Sequence, residues 1–257
     1  MSSSPWQRVR AEADRTLVVC GDAVEVLSQL EPESVDVVFA DPPYFLSRSG
    51  GTTCRGGKSV SVVKGDWDKP RARDQAVAFS TCWLAAVQRV LKPSGTAWVS
   101  GTKHIIRAVS AAAEALRMPE VNEVVWRKPN PPPNLSTRTL THSHESVLWL
   151  KREAKAPYHF DYARAREIAG DAQIKDVWEM QPPRGEERKR GNGHTTQKPV
   201  ELVRRCLEVS CPAGGLVLDP FAGSGTTGEA ALALGMRVVL IDADPESYER
   251  CLRRVGR

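Results

Sequence analysis

Near its carboxyl end the chain reads Leu218-Asp219-Pro220-Phe221-Ala222-Gly223-Ser224-Gly225-Thr226-Thr227. An apolar run from Leu216 to Leu218 precedes the glycines, and an apolar stretch of helical character follows them. A strand that turns through glycines into a helix presents backbone N–H groups and the positive end of the helix to a nucleotide-like ligand. The stretch therefore predicts a cofactor loop at the end of a parallel strand.

The spacing of Gly223, Gly225 and Gly228 fits G-x-G-x-x-G, and Asp242 follows at the end of the next predicted strand. A dinucleotide site is an alternative, but such enzymes open with this motif, and 29 residues follow Gly228 here. A P-loop is excluded because no Lys-Ser/Thr pair follows the last glycine. The pattern favours one nucleoside with a modest tail, such as S-adenosyl-L-methionine, with Asp242 accepting both ribose hydroxyl protons.

A second motif, Asp41-Pro42-Pro43-Tyr44, follows the apolar run from Val35 to Ala40. An exocyclic amine on adenine or cytosine is a poor nucleophile, because its lone pair is delocalised into the ring. The Asp41 carboxylate and the Pro42 carbonyl, held rigid by consecutive prolines, can accept both N–H bonds and expose that lone pair. Tyr44 offers a flat face on which a flipped base can stack. The motif predicts a catalytic site for methylating an amine.

Composition sets the broad class. The chain has 257 residues, enough for one α/β domain with an insertion. Its content of 41% hydrophobic and 26% charged residues is typical of a globular protein. No apolar run approaches the roughly 20 residues needed to cross a bilayer. The first residues lack a secretory core, so we expect a cytoplasmic protein without a membrane partner. A net charge of +5 slightly favours a polyanionic partner. The six cysteines lack CxxC spacing, and we expect no metal site.

Strand-like and helix-like segments alternate along the chain. This alternation predicts a Rossmann-like α/β fold, a mostly parallel doubly wound sheet with helices on both faces. We expect one domain over 1–257, with a mobile functional loop at 46–74 beside the catalytic motif. Residues 152–193 lack periodicity and are interpreted as an inserted target-recognition segment, and 194–257 as the cofactor-binding half.

The two motifs together resemble those of the amino-methylating DNA methyltransferases, and their order resembles the β, or circularly permuted, group. Val19 to Asp22 resembles a family element whose acidic residue binds the adenine of the cofactor. His194 to Pro199 resembles the His-Pro-Thr-Gln-Lys-Pro element beside its methionine end, with Thr195 in place of proline, and Lys198 is expected to pair with the cofactor carboxylate. From the resemblance and the glycine loop together we expect sixteen residues to bind the cofactor. They are Asp22, Ala23, Asp41, His194, Thr195, Gln197, Lys198, Asp219, Phe221, Ala222, Gly223, Ser224, Gly225, Thr226, Thr227 and Asp242.

Three further elements point to one group within this family: Phe45 to Ser47, Lys64 to Trp67 and Asn130 to Asn134. They resemble the accessory adenine methylases of DpnII-type restriction systems, which act on GATC. The resemblance implies transfer from S-adenosyl-L-methionine to N6 of a flipped adenine in DNA. It admits a homodimer and a companion restriction endonuclease or second methylase as partners. Methylation of C5 of cytosine is excluded, because the Pro-Cys nucleophile it needs is absent.

Several alternatives remain open at this point. The same chemistry would serve N4 of cytosine, an RNA amine or a protein amide. A DNA-binding module without activity and a nicotinamide-dependent oxidoreductase are the rivals from other classes. His142 and His144 lack a third metal ligand and are interpreted as hydrogen-bonding residues. The predicted DNA contacts are Arg55, Lys58, Lys64, Arg184, Arg188, Lys189 and Arg190.

Overall fold

A computed structural model of the chain describes residues 14–45, 51–53, 59–61, 72–131, 133–134, 138–191 and 196–256. The strands are β1 (Thr16–Cys20), β2 (Val35–Ala40), β3 (Gly51–Thr53), β4 (Ser59–Ser61), β5 (Leu91–Gly101), β6 (Glu120–Arg127), β7 (His144–Lys151), β8 (Val177–Glu179), β9 (Leu216–Asp219) and β10 (Arg237–Asp242). The helices are α1 (Ala23–Gln29), α2 (Arg73–Val90), α3 (Ile106–Ala115), α4 (Tyr162–Ile168), α5 (Gly185–Arg190), α6 (Val200–Ser210), α7 (Thr226–Ala233) and α8 (Pro245–Arg254).

Eight of these strands form one sheet in the order β1-β10-β9-β2-β5-β7-β6-β8. Neighbouring strands are parallel, except that β7 runs antiparallel to both β5 and β6. Strands β3 and β4 form a separate antiparallel pair. The predicted mostly parallel sheet is confirmed.

Helices cover both faces of the sheet. On one face α1, α2 and α3 pack on a core that includes Val38 and Ala40 of β2. On the other face α4, α6, α7 and α8 pack on a core that includes Val37 and Phe39 of the same strand. Because β2 is buried on both sides, its sequence is apolar almost throughout instead of alternating with polar residues.

The segment from 152 to 193 is more regular than its sequence indicates. It contains α4, β8 and α5, and β8 extends the main sheet by pairing in parallel with β6. These elements have seven, three and six residues, too few to produce a clear hydrophobic period. Its role in target recognition stays a prediction.

Much of the predicted loop at 46–74 lies outside the described residues. The backbone of β3 and β4 is described within it, so this part of the stretch pairs as strands and is not structureless. Helix α2 begins at Arg73, so the loop ends slightly earlier than expected. Within the ranges described above, no helix is long and apolar enough to cross a membrane.

Asp36 ties together the three central strands. It lies in the buried strand β2, and its Oδ1 accepts a hydrogen bond from Lys92 Nζ of β5 at 2.7 Å. Its Oδ2 accepts the backbone N–H of Leu216 of β9 at 2.9 Å, across 180 positions of sequence. A charged residue within an apolar strand thus connects the two halves of the chain.

We expect Asp36→Ala to lower the free energy of unfolding by about 2–3 kcal/mol, because the buried N–H of Leu216 loses its acceptor. Lys92→Met is the matched control. Since the Lys92 side chain is 37% exposed, we expect that variant to lose less than about 1 kcal/mol. Urea denaturation followed by circular dichroism measures both. Equal losses would show that the bond to β9 does not hold the strands together.

Candidate active site

The sheet brings the two sequence motifs to one edge. Strands β2 and β9 are parallel neighbours with Val38 opposite Leu218, so Asp41 and the glycine loop leave adjacent strands on the same side. Strand β10 lies beside β9, and β1 lies beside β10, which adds Asp242 and Asp22 to that edge. Four strand ends therefore converge on one site.

A cavity of about 550 Å³ occupies this edge. Its wall contains most of the predicted residues, namely Asp22, Ala23, Asp41, Pro42, Pro43, Tyr44, Gln197, Lys198, Asp219, Phe221, Ala222, Gly223, Ser224, Thr226, Thr227 and Asp242. Gly225 is described but is not part of this wall. His194 and Thr195 lie outside the described residues.

The glycine loop is a tight turn bound to β10. Gly223 and Gly225 have φ angles of 47° and 73°, the left-handed conformation that side chains with a Cβ disfavour. The N–H of Ala222 donates to the carbonyl of Ile241 at 2.9 Å, and the N–H of Gly223 donates to Asp242 Oδ2 at 2.7 Å. Gly225 is the N-cap of α7, which explains its place in the motif although it does not line the cavity.

Three acidic side chains border the loop, each with backbone partners. Asp22 caps α1 by accepting two N–H groups through Oδ1. Asp242 accepts N–H groups through both oxygens, and burial raises its pKa above the ordinary value. Asp219 accepts the Thr227 hydroxyl at 2.5 Å and the N–H of Phe221 at 2.9 Å. Burial raises the pKa of Asp219 to about 7, so that carboxyl titrates near neutral pH.

Asp41 is held by three donors from three parts of the chain. Its Oδ1 accepts the Tyr44 hydroxyl at 2.7 Å and the Ser100 hydroxyl at 2.6 Å. Its Oδ2 accepts Lys198 Nζ at 2.6 Å. A carboxylate offers about four acceptor positions, so these donors fix its orientation and leave room for a further donor.

Lys198 is buried within this network. Its Nζ also donates to the Tyr44 hydroxyl at 2.7 Å and lies 3.5 Å from Glu145 Oε2. Burial alone would lower the pKa of Lys198, but the carboxylates of Asp41 and Glu145 raise it above the ordinary value. The expected pairing with a cofactor carboxylate stays a prediction; in the structure the protein's own carboxylates bind this ammonium group.

Glu145 is a charged residue of the site that sequence reasoning did not assign. It is buried at the start of β7, accepts the Tyr44 hydroxyl through Oε2 at 3.2 Å, and binds Lys128 through Oε1. Burial would raise its pKa, but Lys198 and Lys128 lower it to about 2. Burial and both carboxylates raise the pKa of Tyr44, which therefore keeps its proton. The available signal is an acidic residue just before the apolar run from Val147 to Leu150.

Ser100 and Phe79 were also missed. Ser100 is the penultimate residue of β5, which lies directly beside β2, so its position near a strand end is the usable signal. Phe79 of α2 lines the cavity and packs against Phe45 and Phe221, with ring centroids 5.2 and 6.2 Å apart. No motif marks Phe79, because a helix core position and a cavity wall look alike in sequence.

Four of the seven predicted DNA contacts lie in the described part of the chain. Arg184, Arg188, Lys189 and Arg190 are exposed on or beside α5. This helix packs next to the cavity wall, since Gln197 Nε2 donates to the carbonyl of Glu187 at 3.0 Å. Arg190 is paired with Glu229 and Lys189 with Glu186. Arg55, Lys58 and Lys64 lie outside the described residues.

The histidine pair does not form a metal site in the described part of the chain. The rings of His142 and His144 lie 6.4 Å apart, and no group of three or more potential ligands there has the geometry to hold a metal ion.

Solved structures with a similar fold are DNA methyltransferases. The complex of M1.HpyAVI with S-adenosylmethionine superposes with a TM-score of 0.69 at 21% identity, covering 94% of this chain and 100% of that one. The cytosine-N4-specific PvuII DNA methyltransferase gives a TM-score of 0.73 at 18% identity, covering 94% of this chain and 86% of that one. The predicted methyltransferase fold is confirmed.

Sequence relatives are type II methyltransferases. The chain is 42% identical over 243 residues to M2.DpnII of Streptococcus pneumoniae, covering 94% of this chain and 90% of that protein. It is 40% identical over 247 residues to M2.LlaDCHI of Lactococcus lactis subsp. cremoris, covering 96% of this chain and 91% of that protein. The model of the N6/N4 methyltransferase family, described as DNA methylase, matches residues 35–252. The resemblance carried by the motifs is therefore confirmed, and the chain belongs to the N6/N4 family of DNA methylases.

Proposed function

We propose that this protein transfers a methyl group from S-adenosyl-L-methionine to N6 of an adenine that has left the DNA stack. One observation carries the proposal: Asp41 and Tyr44 share a single cavity with the glycine loop around Gly223. The cavity thus combines groups suited to gripping an amine with groups suited to a nucleoside cofactor.

The residues present fit the cofactor. A volume of about 550 Å³ lies within the roughly 300–1,000 Å³ of small-molecule sites. The carboxylates of Asp242 and Asp22 suit the ribose hydroxyls and the adenine amine, and the turn at Gly223 lets the backbone approach the ligand closely. Phe79 and Phe221 supply apolar wall. When bound, the cofactor supplies an electrophilic methyl group on a positively charged sulfur.

Asp41 grips the target amine in this proposal. The donors from Tyr44, Ser100 and Lys198 hold the carboxylate in one orientation. The remaining acceptor position can take one N–H of the amine, and the Pro42 carbonyl can take the other. This arrangement favours nitrogen with an exposed lone pair, and the carboxylate stabilises the positive charge that nitrogen gains.

Tyr44 provides the stacking surface for the base. Lys198 Nζ donates to its hydroxyl at 2.7 Å, at the edge of the ring. The ring lines the cavity, where a flipped base can stack on its face. Its hydroxyl donates to Asp41, so ring and carboxylate are positioned as one unit. Stacking and the grip on the amine therefore act on the same base.

Adenine is the favoured acceptor. The Asp-Pro-Pro-Tyr motif resembles that of N6-adenine enzymes. The similar type II methyltransferases include M2.DpnII and M2.LlaDCHI, which agrees with the resemblance to the adenine methylases of DpnII-type systems. The cytosine-N4-specific PvuII enzyme shares the fold at low identity, so cytosine N4 is the second candidate. Both acceptors are exocyclic amines on a ring, and the same groups would grip either one.

The remaining assignments concern partners. We assign target recognition to residues 152–193, where Arg184, at the start of α5, and Arg188, within it, are exposed beside the cavity wall. By analogy with the type II relatives, we propose that the protein works on DNA in the cytoplasm as the methylase of a restriction–modification system. In that setting a companion restriction endonuclease, a second methylase or a second copy of this chain would be its partners.

The acceptor is tested by supplying tritiated S-adenosyl-L-methionine with DNA, RNA and protein in parallel. We expect label in DNA alone and N6-methyladenine as the labelled nucleoside. An oligonucleotide series in which adenine is replaced by 2-aminopurine, which lacks the N6 amine, should lose the label. Label in N4-methylcytosine would move the acceptor to cytosine, and label confined to protein would remove DNA from the proposal.

Substitution of Asp41 tests the grip on the amine. We expect Asp41→Ala to slow single-turnover methyl transfer by roughly 100-fold or more, because the carboxylate that stabilises the cationic nitrogen is lost. Binding of S-adenosylhomocysteine, measured by calorimetry, should change by less than about threefold. Glu114→Ala, on the exposed face of α3 and outside both the cavity and residues 152–193, is the control and should retain full activity. A normal rate for Asp41→Ala would exclude the assigned role.

A further inference from the structure

Four charged side chains form a compact cluster beside the cavity: Asp41, Glu145, Lys128 and Lys198, here called the charge quartet. Lys198 Nζ lies 2.6 Å from Asp41 Oδ2 and 3.5 Å from Glu145 Oε2. Lys128 Nζ binds the other oxygen of Glu145. Two of the four, Asp41 and Lys198, belong to the predicted site, whereas Glu145 and Lys128 have no assigned function.

The quartet is electrically neutral. Lys198 stays protonated because the adjacent carboxylates raise its pKa. Glu145 stays ionised, because Lys198 and Lys128 lower its pKa to about 2 against the effect of burial. Two cations and two anions therefore balance. Glu145 also lines a second, polar cavity of about 370 Å³. The wall of that cavity includes two cations and two carboxylates, Lys103, Arg107, Glu120 and Glu123, together with His142 and His144.

Methyl transfer disturbs this balance. The target nitrogen forms a bond to the methyl carbon as the carbon–sulfur bond breaks, and that bond's electron pair stays on sulfur. The nitrogen becomes cationic and then loses an N–H proton to the carboxylate of Asp41, from which it passes to solvent. While the nitrogen is cationic, Asp41 faces two positive groups, the nitrogen and Lys198. A fixed ammonium group at 2.6 Å from Asp41 weakens the stabilisation that this carboxylate can give.

We propose that Glu145 is a positioning residue for methyl transfer, which neutralises Lys198 and so leaves the charge of Asp41 available to the target nitrogen. The inference rests on the proposed function. Glu145 acts through Lys198 and through the Tyr44 hydroxyl, which lies 2.7 Å from Asp41 Oδ1 and 3.2 Å from Glu145 Oε2. Without its charge the remaining three residues would carry a net charge of +1 beside a developing cation.

If the role of Glu145 were purely structural, substitutions of Glu145 and Lys128 would have a different effect on the rate of methyl transfer. In that case its ion pair with Lys128 would join β7 to the chain after β6, and removing either partner would be equally harmful. Under the electrostatic role the two partners have opposite effects, because removing Lys128 takes away a positive charge. Lys128→Met keeps a long apolar chain against the ring of Trp126, over which Lys128 Nζ lies at 4.6 Å. Pairing the two substitutions therefore separates charge from packing.

The experiment measures single-turnover methyl transfer into DNA for the wild-type chain, Glu145→Gln, Lys128→Met and the double variant. We expect Glu145→Gln to slow transfer by roughly tenfold or more, with the affinity for S-adenosylhomocysteine changed less than about threefold. We expect Lys128→Met to be at least as fast as the wild type. The double variant restores neutrality, and we expect it to recover most of the lost rate. Glu123→Gln, which removes an exposed carboxylate from the neighbouring strand β6, is the control and should match the wild type.

Each outcome decides the question. A wild type that does not methylate DNA would refute the proposed function itself. An active wild type with an equally fast Glu145→Gln would overturn the role of Glu145. A double variant as slow as Glu145→Gln would show that Glu145 acts by structure and not by charge. If Glu145→Gln fails to give a cooperative thermal transition, Lys128→Met alone still decides, because a tenfold fall in its rate would contradict the proposal.

Discussion

Strand β9 lies beside β2 in parallel, with Val37 opposite Val217 and Val38 opposite Leu218. Everything in the site depends on this register. Because parallel strands expose their carboxyl ends at the same edge, the pairing converts two motifs separated by some 180 residues into neighbours. The Asp36 carboxylate reinforces the pairing at the other end of the strands by accepting the N–H of Leu216. A strand shifted by one residue would turn Asp41 to the opposite face of the sheet.

The fold was largely predictable, because its strongest elements carry strong patterns. The apolar runs of β2 and β9 and the glycine turn before α7 appear in the sequence with nearly their observed bounds. The direction of β7 was not predictable, since an apolar run reads alike in either orientation. The short elements of 152–193 escaped for a related reason: three to seven residues are too few to establish a period.

The candidate site was predictable where chemistry is concentrated in contiguous residues. Two motifs are recognisable because their functional residues are adjacent in sequence: Asp41 to Tyr44 and the loop from Asp219 to Thr227. Both motifs line the same cavity. Three other elements contribute one residue each to the site, namely Ser100, Glu145 and Phe79. No motif surrounds these residues, and only the tertiary structure brings them together. Lys198 shows the limit most clearly. Its position was expected near the cofactor, but its contacts with Asp41 and Tyr44 follow from packing that no local pattern encodes.

The strand order also bears on how the molecule is assembled during translation. Strands β1 and β2 are consecutive in sequence, but β10 and β9 lie between them in the sheet. Among the described strands β1 pairs only with β10, so until residues 216–242 have left the ribosome it lacks this partner, and one edge of β2 is unpaired. The nascent polypeptide therefore exposes unpaired backbone N–H and C=O groups beside the apolar side chains of β1 and β2. Such surface is what chaperones engage. Strands β9 and β10 fill the gap between β1 and β2, so the edge that carries Asp41 and the glycine loop is incomplete before residues 216–242 are available.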